Sequence, residues 1–165
     1  MKIIRVSVEN WKPYKGKQEI EFASGEANIT LLFGENTHGK TSLLNALQWG
    51  LYGETSDHLG NIIPESQLIN KIAYKEGERH FSVGLNMQAD GKDFKLKRSV
   101  TLDEGEPLQE VSLEIDQERL TDREIIEKQI NNLIPQQIAR FFLFDGELLS
   151  EFERLVKAAG SVQAR

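Results

Sequence analysis

The chain has 165 residues, 39% hydrophobic and 28% charged, with a formal net charge of -6, enough for one domain with its own core. An acidic domain does not grip nucleic acid by itself, so any DNA contact must come from a local patch, another part of the protein or a partner. The absence of cysteine excludes disulfides and thiolate metal sites, and the three histidines are too scattered for zinc. No apolar run reaches the roughly 18 residues a membrane helix needs, and the start lacks a signal-peptide pattern, so a cytoplasmic protein with no membrane partner is expected.

Met1 to Glu9 alternates, with Ile4, Val6 and Val8 on one face, which predicts a half-buried strand. Asn10 to Gly16 reads as a turn and Gln18 to Phe22 as a second strand, with Ile20 and Phe22 inward. After a turn at Ser24-Gly25-Glu26, the apolar run Ile29-Thr30-Leu31-Leu32-Phe33 predicts a short buried strand.

That run ends in Gly34-Glu35-Asn36-Thr37-His38-Gly39-Lys40-Thr41, which fits the phosphate-loop pattern G-x-x-x-x-G-K-[ST] at every fixed position. From Thr41 to Leu51 the apolar residues Leu43, Leu44, Ala46, Leu47 and Leu51 recur at helical spacing. A strand, a glycine loop and a helix start are what phosphate binding requires, because loop and helix N–H groups converge on the anion. Lys40 follows Gly39 inside the first helical turn, where the helix dipole disfavours a cation, so its charge needs a reason. The candidate nucleotide-binding set is Gly34, Asn36, Thr37, His38, Gly39, Lys40, Thr41 and Ser42. Lys40 would place charge near the β- and γ-phosphates, and the Thr41 hydroxyl is a candidate Mg²⁺ ligand. His38 faces solvent on this reading, and Trp11 belongs to the core rather than to a base-stacking platform.

The loop helix should end near Tyr52 with Gly53 just beyond it. Glu54 to Ser66 is polar and turn-rich, and Gln67 to Ala73 fits either a helix or a strand. His80 to Met87 alternates, Ala89-Asp90-Gly91-Lys92 is a hairpin turn, and Asp93 to Leu102 alternates again through Phe94 and Leu96, a face that Arg98 and Val100 would continue. With Val111 to Ile115 these predict an antiparallel meander. Lys92, Lys95, Lys97 and Arg98 read together as a solvated strand face. Asn70-Lys71-Ile72-Ala73 lacks the Asp of a guanine-reading motif.

Thr121-Asp122-Arg123-Glu124 predicts a capping box, with Thr121 at the N-cap, opening a helix with Ile125, Ile126, Ile130 and Leu133 inward and broken by Pro135. The apolar run Phe141-Phe142-Leu143-Phe144 leads into Asp145-Gly146-Glu147. An acid after a buried apolar run can hold Mg²⁺ opposite a phosphate loop. Asp145 then ends a Walker B strand, with Glu147 polarising water; or it is a loop residue that touches the metal and senses the γ-phosphate; or the Asp-Gly is simply a turn after a core segment. Leu148 to Ala159 looks helical and amphipathic.

The chain resembles the N-terminal half of the ABC-type ATPase head of SMC, RecF and double-strand-break-repair ATPases. The likeness rests on Ile3 to Trp11, on Ile20-Glu21-Phe22, and on Leu32-Phe33-Gly34-Glu35-Asn36 running into Gly39-Lys40-Thr41-Ser42-Leu43-Leu44-Asn45-Ala46. Phe141 to Glu147 looks most like DndD, the ATPase of DNA phosphorothioation, and its relatives. The sequence departs from the family pattern at Thr37, usually glycine, and at Asp145, where many heads place a glutamine. The resemblance implies an α/β P-loop NTPase fold, namely an ABC-type N-terminal lobe with an antiparallel β-subdomain. It further implies ATP and Mg²⁺ as cofactors, Lys40 and Asp145 in catalysis, Thr41 and Asp145 on the metal, and Asn36 shaping the loop. It implies a lobe over 1–150 and the start of a coiled coil, or a tail, over 151–165. Its partners would be a C-terminal half of the same head, which carries the signature motif and second acidic strand not found in this sequence, a second head across an ATP sandwich, and DNA through the full protein. Two rivals from the residues alone are a self-sufficient small P-loop kinase with Asp145 as Walker B, and a non-catalytic module switched by ATP.

Overall fold

Among the described residues six strands form one wholly antiparallel sheet in the order β2-β1-β3-β4-β5-β6. They are β1 (Lys2–Trp11), β2 (Tyr14–Glu21), β3 (His80–Ala89), β4 (Lys92–Thr101), β5 (Leu108–Ile115) and β6 (Glu118–Leu120). The computed structural model describes residues 1–26, 28–35, 39–57, 60–103, 105–139 and 141–143. Alternation sends Val6 and Val8, Phe81, Val83, Leu85 and Met87, and Phe94, Leu96 and Val100 to one buried face. The Asp90-Gly91 turn joins β3 to β4 with both residues at positive φ (50° and 74°), the backbone that matches strand twist in a two-residue hairpin. Asp116 and Gln117 do the same between β5 and β6 (47° and 78°). Gln117 is an unusual residue for that conformation, which is why β6 does not announce itself in the sequence.

Helix α1 (Lys40–Tyr52) lies on the buried face of the sheet, and β3 returns beside β1 rather than beside β2. Its inward residues include Leu43, Ala46, Trp49 and Leu51. Gly50 permits the close approach: a Cβ there would sit 3.0 Å from both Val83 Cγ1 and Leu85 Cδ1. Trp11, Trp49 and Phe81 stack at tilted angles with centroids 5.3 to 5.7 Å apart. Burying each such side chain contributes about 1.5–3 kcal/mol, so these three anchor helix to sheet. Gly53 closes α1 in the left-handed conformation (φ 77°), its N–H donating to Trp49 O at 2.7 Å.

A short helix α2 (Lys71–Lys75) resolves the ambiguous stretch: Asn70 caps it by accepting from Ile72 N and Ala73 N, while Ile69 bridges to Trp11. Helix α3 (Arg123–Leu133) also covers the buried face, through Ile126 and Ile130. Its cap is Asp122, whose Oδ1 accepts from Ile125 N at 3.1 Å, and not Thr121. Ile125, expected inward, is exposed, while Ile126 and Ile130 face the core. Pro135 ends it, and α4 (Gln136–Ala139) follows at once.

Two further expectations fail in this part of the fold. Arg98 does not belong to a solvated face: β4 alternation turns it inward, fully buried, while Lys92, Lys95 and Lys97 are exposed. And Ile29–Phe33 is not a buried strand. Residues 28–35 form no ladder, and Ile29, Leu31 and Phe33 are 78%, 72% and 90% exposed. A strand needs neighbours for its N–H and C=O groups, and this run is in the ladder of none of the six strands.

The phenol of Tyr52 donates to Ile134 O at 3.0 Å, and burial pushes its pKa up to about 12. The folded state thus holds this proton more tightly than the unfolded chain does. The stabilisation is complete below pH 10 and lost as pH rises toward 12. Urea midpoints should therefore fall more steeply across this window for the native chain than for Tyr52→Phe; parallel curves would refute the linkage.

Candidate functional site

The phosphate motif comes together at the start of α1. Gly39 occupies the N-cap position in the left-handed conformation (φ 101°), where an L side chain is strained. A Cβ on Gly39 would also lie 2.8 Å from Tyr14 Oη and 3.1 Å from Pro13 Cγ. Lys40 and Thr41 are exposed in the first turn, which contains no acidic residue. The helix end is therefore positive, from the N-terminal end of its dipole and from the lysine together. The Lys40 ammonium folds back along the loop, donating to Gly34 O at 2.6 Å and Glu35 O at 2.9 Å. So Gly34, Gly39, Lys40, Thr41 and Ser42 converge at one helix end, whereas Asn36, Thr37 and His38 lie outside the described residues.

The turn between β1 and β2 fixes this helix end through backbone atoms. Trp11 Nε1 donates to Ser42 O at 2.8 Å, and Tyr14 Oη donates to Gly39 O at 3.0 Å. Burial pushes the Tyr14 phenol up, so it stays a donor at neutral pH. Asn45 is satisfied when its amide nitrogen donates to Thr41 O and its oxygen accepts from Lys12 Nζ, both at 2.8 Å. Burial lowers the Lys12 ammonium from its ordinary value. None of these bonds uses the side chain of Lys40, which remains directed to the loop. Trp11 is core, as expected, but its indole N–H also holds the site.

Gln48 reaches the second chemical stretch, donating from Nε2 to Leu143 O at 3.0 Å and accepting from Thr55 Oγ1 at 3.0 Å. Leu143 packs against the core. Phe141 and Phe142, expected in a buried run, occupy a turn and are exposed. Asp145, Gly146 and Glu147 lie outside the described residues, as does the stretch from Leu148 to Ala159. Among the described residues no group of three or more His, Asp or Glu side chains could hold a metal, and no helix is long and apolar enough to cross a membrane.

Tyr14, Asn45 and Gln48 escaped the sequence reading. The signal for two of them was there: Asn45 and Gln48 interrupt the apolar stripe of α1 with amides, which implies partners. Tyr14 sits in a turn whose register a sequence does not reveal.

The chain is similar to known proteins. The SbcC component of the nuclease SbcCD from Deinococcus radiodurans is 29% identical over 99 residues, 60% of this chain and 10% of that protein. The "DNA double-strand break repair Rad50 ATPase" of Nanoarchaeum equitans is 26% identical over 153 residues, 90% of this chain and 17% of the relative. The chain thus spans less than a fifth of either relative's length. A solved chain from work on ATP-driven dimerization and DNA-stimulated activation of SMC ATPases superposes with a TM-score of 0.56 at 18% identity, covering 92% of this chain and 99% of its own. That likeness shows the fold, an α/β P-loop ATPase lobe whose β-subdomain is the antiparallel sheet. Residues 5–161 match the AAA domain family AAA_23, and the chain belongs to that family of SMC/Rad50/SbcC-type ABC ATPase heads.

Proposed function

We propose that the chain is the ATP-binding N-terminal lobe of a DNA-associated, SMC-like ATPase of the cytoplasm. The observation that carries this is Lys40 folded over the carbonyls of Gly34 and Glu35 at a helix end free of acidic side chains. A cation gathered there, against the dipole, fits a polyphosphate. The loop from Gly34 to Ser42, a stretch that includes Asn36, Thr37, His38 and Gly39, would receive the phosphates on backbone N–H groups. Lys40 offers its charge to the β- and γ-phosphates, Asn36 shapes the loop, and Thr41 and Asp145 serve Mg²⁺. Bound Mg-ATP supplies the metal that offsets phosphate charge and the phosphoryl group that is lost to water. Gln48, by holding Leu143 O, sets where the chain enters the Asp145 segment.

Residues 1–150 form the lobe on this reading, and 151–165 are the start of a coiled coil or a tail. The lobe docks a C-terminal half that brings the signature motif and the second acidic strand, and two completed heads sandwich ATP. The exposed strip at Ile29, Leu31 and Phe33 supports this docking, since an apolar β-rich run beside the loop lacks neighbours within the sheet. Leu31→Ser with Phe33→Ser should leave the chain's own stability within about 0.5 kcal/mol, as exposed positions do, but weaken binding of the separately made C-terminal half at least tenfold. Unchanged affinity would remove the strip from the interface. The family is shared with repair proteins, and Phe141 to Glu147 favours the DndD-like branch, DNA sulfur modification or a related defence role.

The test is Mg-ATP binding and steady-state turnover by this chain, with Lys40→Ala as blank. Binding without turnover is the expected result. Turnover well above the blank would mean that the chain carries its own catalytic acid.

A further inference from the structure

The two edges of the sheet differ. At one edge, β2 carries Lys15 and Lys17, ion-paired with Glu76 and Glu19, charged side chains of the kind that blunt an edge strand. At the other, β6 is only three residues long and pairs with Leu113, Glu114 and Ile115 alone. After Leu120 the chain turns through Thr121 and Asp122 into α3. The part of β5 from Leu108 to Ser112 therefore pairs with β4 on one side and, among the described residues, with no strand on the other. That part contains no proline, no lysine and no bulge.

The register shows which groups are open. In a two-residue hairpin the flanking pair, here Ile115 and Glu118, exchange both backbone bonds, and the direction then alternates. Leu113 faces β6, and Val111 and Gln109, two and four residues further back, present N–H and C=O on the same side. They line a cleft of about 430 Å³, whose other wall is Arg119, Thr121 and Arg123. Lys97, opposite Ser112 on β4, completes it on the solvent face. Arg123 is paired with Glu127 at 2.7 Å, but neither Lys97 nor Arg119 has a carboxylate partner among the described residues. Glu110 is the one acid of the lining. A groove with three cations and one carboxylate, in a chain of net charge -6, is a local reversal of sign.

We propose that the β5 edge is a docking groove for an extended acidic peptide segment of a partner protein, which adds as a strand beside Gln109–Val111 with its carboxylates toward Lys97 and Arg119. Backbone pairing gives such a complex its affinity, and alternate side chains give it specificity. A nucleic-acid strand would meet the cations but leave the N–H and C=O groups of the edge unpaired, so the open ladder favours a peptide.

The probe is the acetylated peptide Glu-Val-Glu-Val-Glu-Val, followed by fluorescence anisotropy and by amide exchange of the full chain. Expected are saturable binding, slower exchange at Gln109 and Val111, and a loss of about tenfold in affinity for Lys97→Glu with Arg119→Glu, since both changes place like charges opposite the peptide. Val111→Pro should abolish binding, because it removes a ladder donor at an edge position where proline is tolerated. If that variant does not fold, the charge reversals still decide, as both side chains are exposed. The Lys-Val counterpart peptide should not bind. The proposal is overturned by no binding of the acidic peptide, by binding that ignores the charge reversals, by a single-stranded oligonucleotide competing for the same amides, or by protection that rises with protein concentration alone, which would make the edge an interface between copies.

Discussion

Lys40→Ala should abolish measurable Mg-ATP binding while leaving the fold intact. The two halves of that result come from the same geometry. Among the described residues the Lys40 ammonium donates to the loop carbonyls of Gly34 and Glu35, and the side chain is exposed. Alanine removes a cation from a helix N-terminus, where it is unfavourable, and puts the best helix former in its place. The thermal midpoint should hold or rise slightly. A charge-assisted hydrogen bond is worth about 1.5–3 kcal/mol, and Lys40 can make more than one to a polyphosphate, so affinity should fall by at least about a hundredfold. Calorimetric titration and a melting curve on one sample check both halves. Ordinary affinity in the variant would rule out the site, and a collapsed melting curve would mean that the lysine is structural.

The largest expected effect on stability is at Arg98, far from any phosphate. Its side chain is fully buried beneath the end of α1, with Nε donating to Gly50 O at 3.0 Å and Nη2 to Leu51 O at 3.1 Å. Both carbonyls fall in the last turn, where the helix offers no N–H partner. Burial lowers the guanidinium pKa to about 10, still charged at neutral pH, and the negative end of the helix dipole compensates it. Arg98→Ala leaves two unsatisfied carbonyls and a cavity, and should cost about 3–5 kcal/mol. Arg98→Met refills the space without the donors and should cost about 1–3 kcal/mol. Urea unfolding measures both. A methionine variant as stable as the native chain would show that the carbonyls find other partners and that the arginine only fills volume.

Arg98 also shows what the sequence does and does not reveal. Alternation along β4 places it beside Leu96 and Val100 on the inner face, so its position was legible, but its charge argued for solvent. What decided was a partner fixed only by tertiary structure, the C-terminus of α1. The meander, the loop helix with its Gly53 stop and the positions of Lys40 and Thr41 were legible because each is a local pattern: period two, period three to four, or a fixed motif. The run from Ile29 to Phe33 was misread because an apolar β-rich segment looks the same whether or not a neighbouring strand exists. The helix α3 cap slipped by one because Thr121 and Asp122 both qualify as caps, and only backbone geometry chooses. Two anchors of the site, Trp11 and Tyr14, come from outside the motif and meet it only after folding.

Those anchors have a thermodynamic consequence. They hold Gly39 and Ser42 by their carbonyl oxygens, so the end of the helix that would receive an anion is set by the hairpin before any anion arrives. Ordering a residue costs about 1–2 kcal/mol, and here that loss belongs to folding rather than to association. The phosphate motif is therefore not portable: the same eight residues grafted onto a helix lacking a Trp11–Tyr14 turn beside it would bind more weakly, with a less favourable entropy, although every residue that touches ligand were kept.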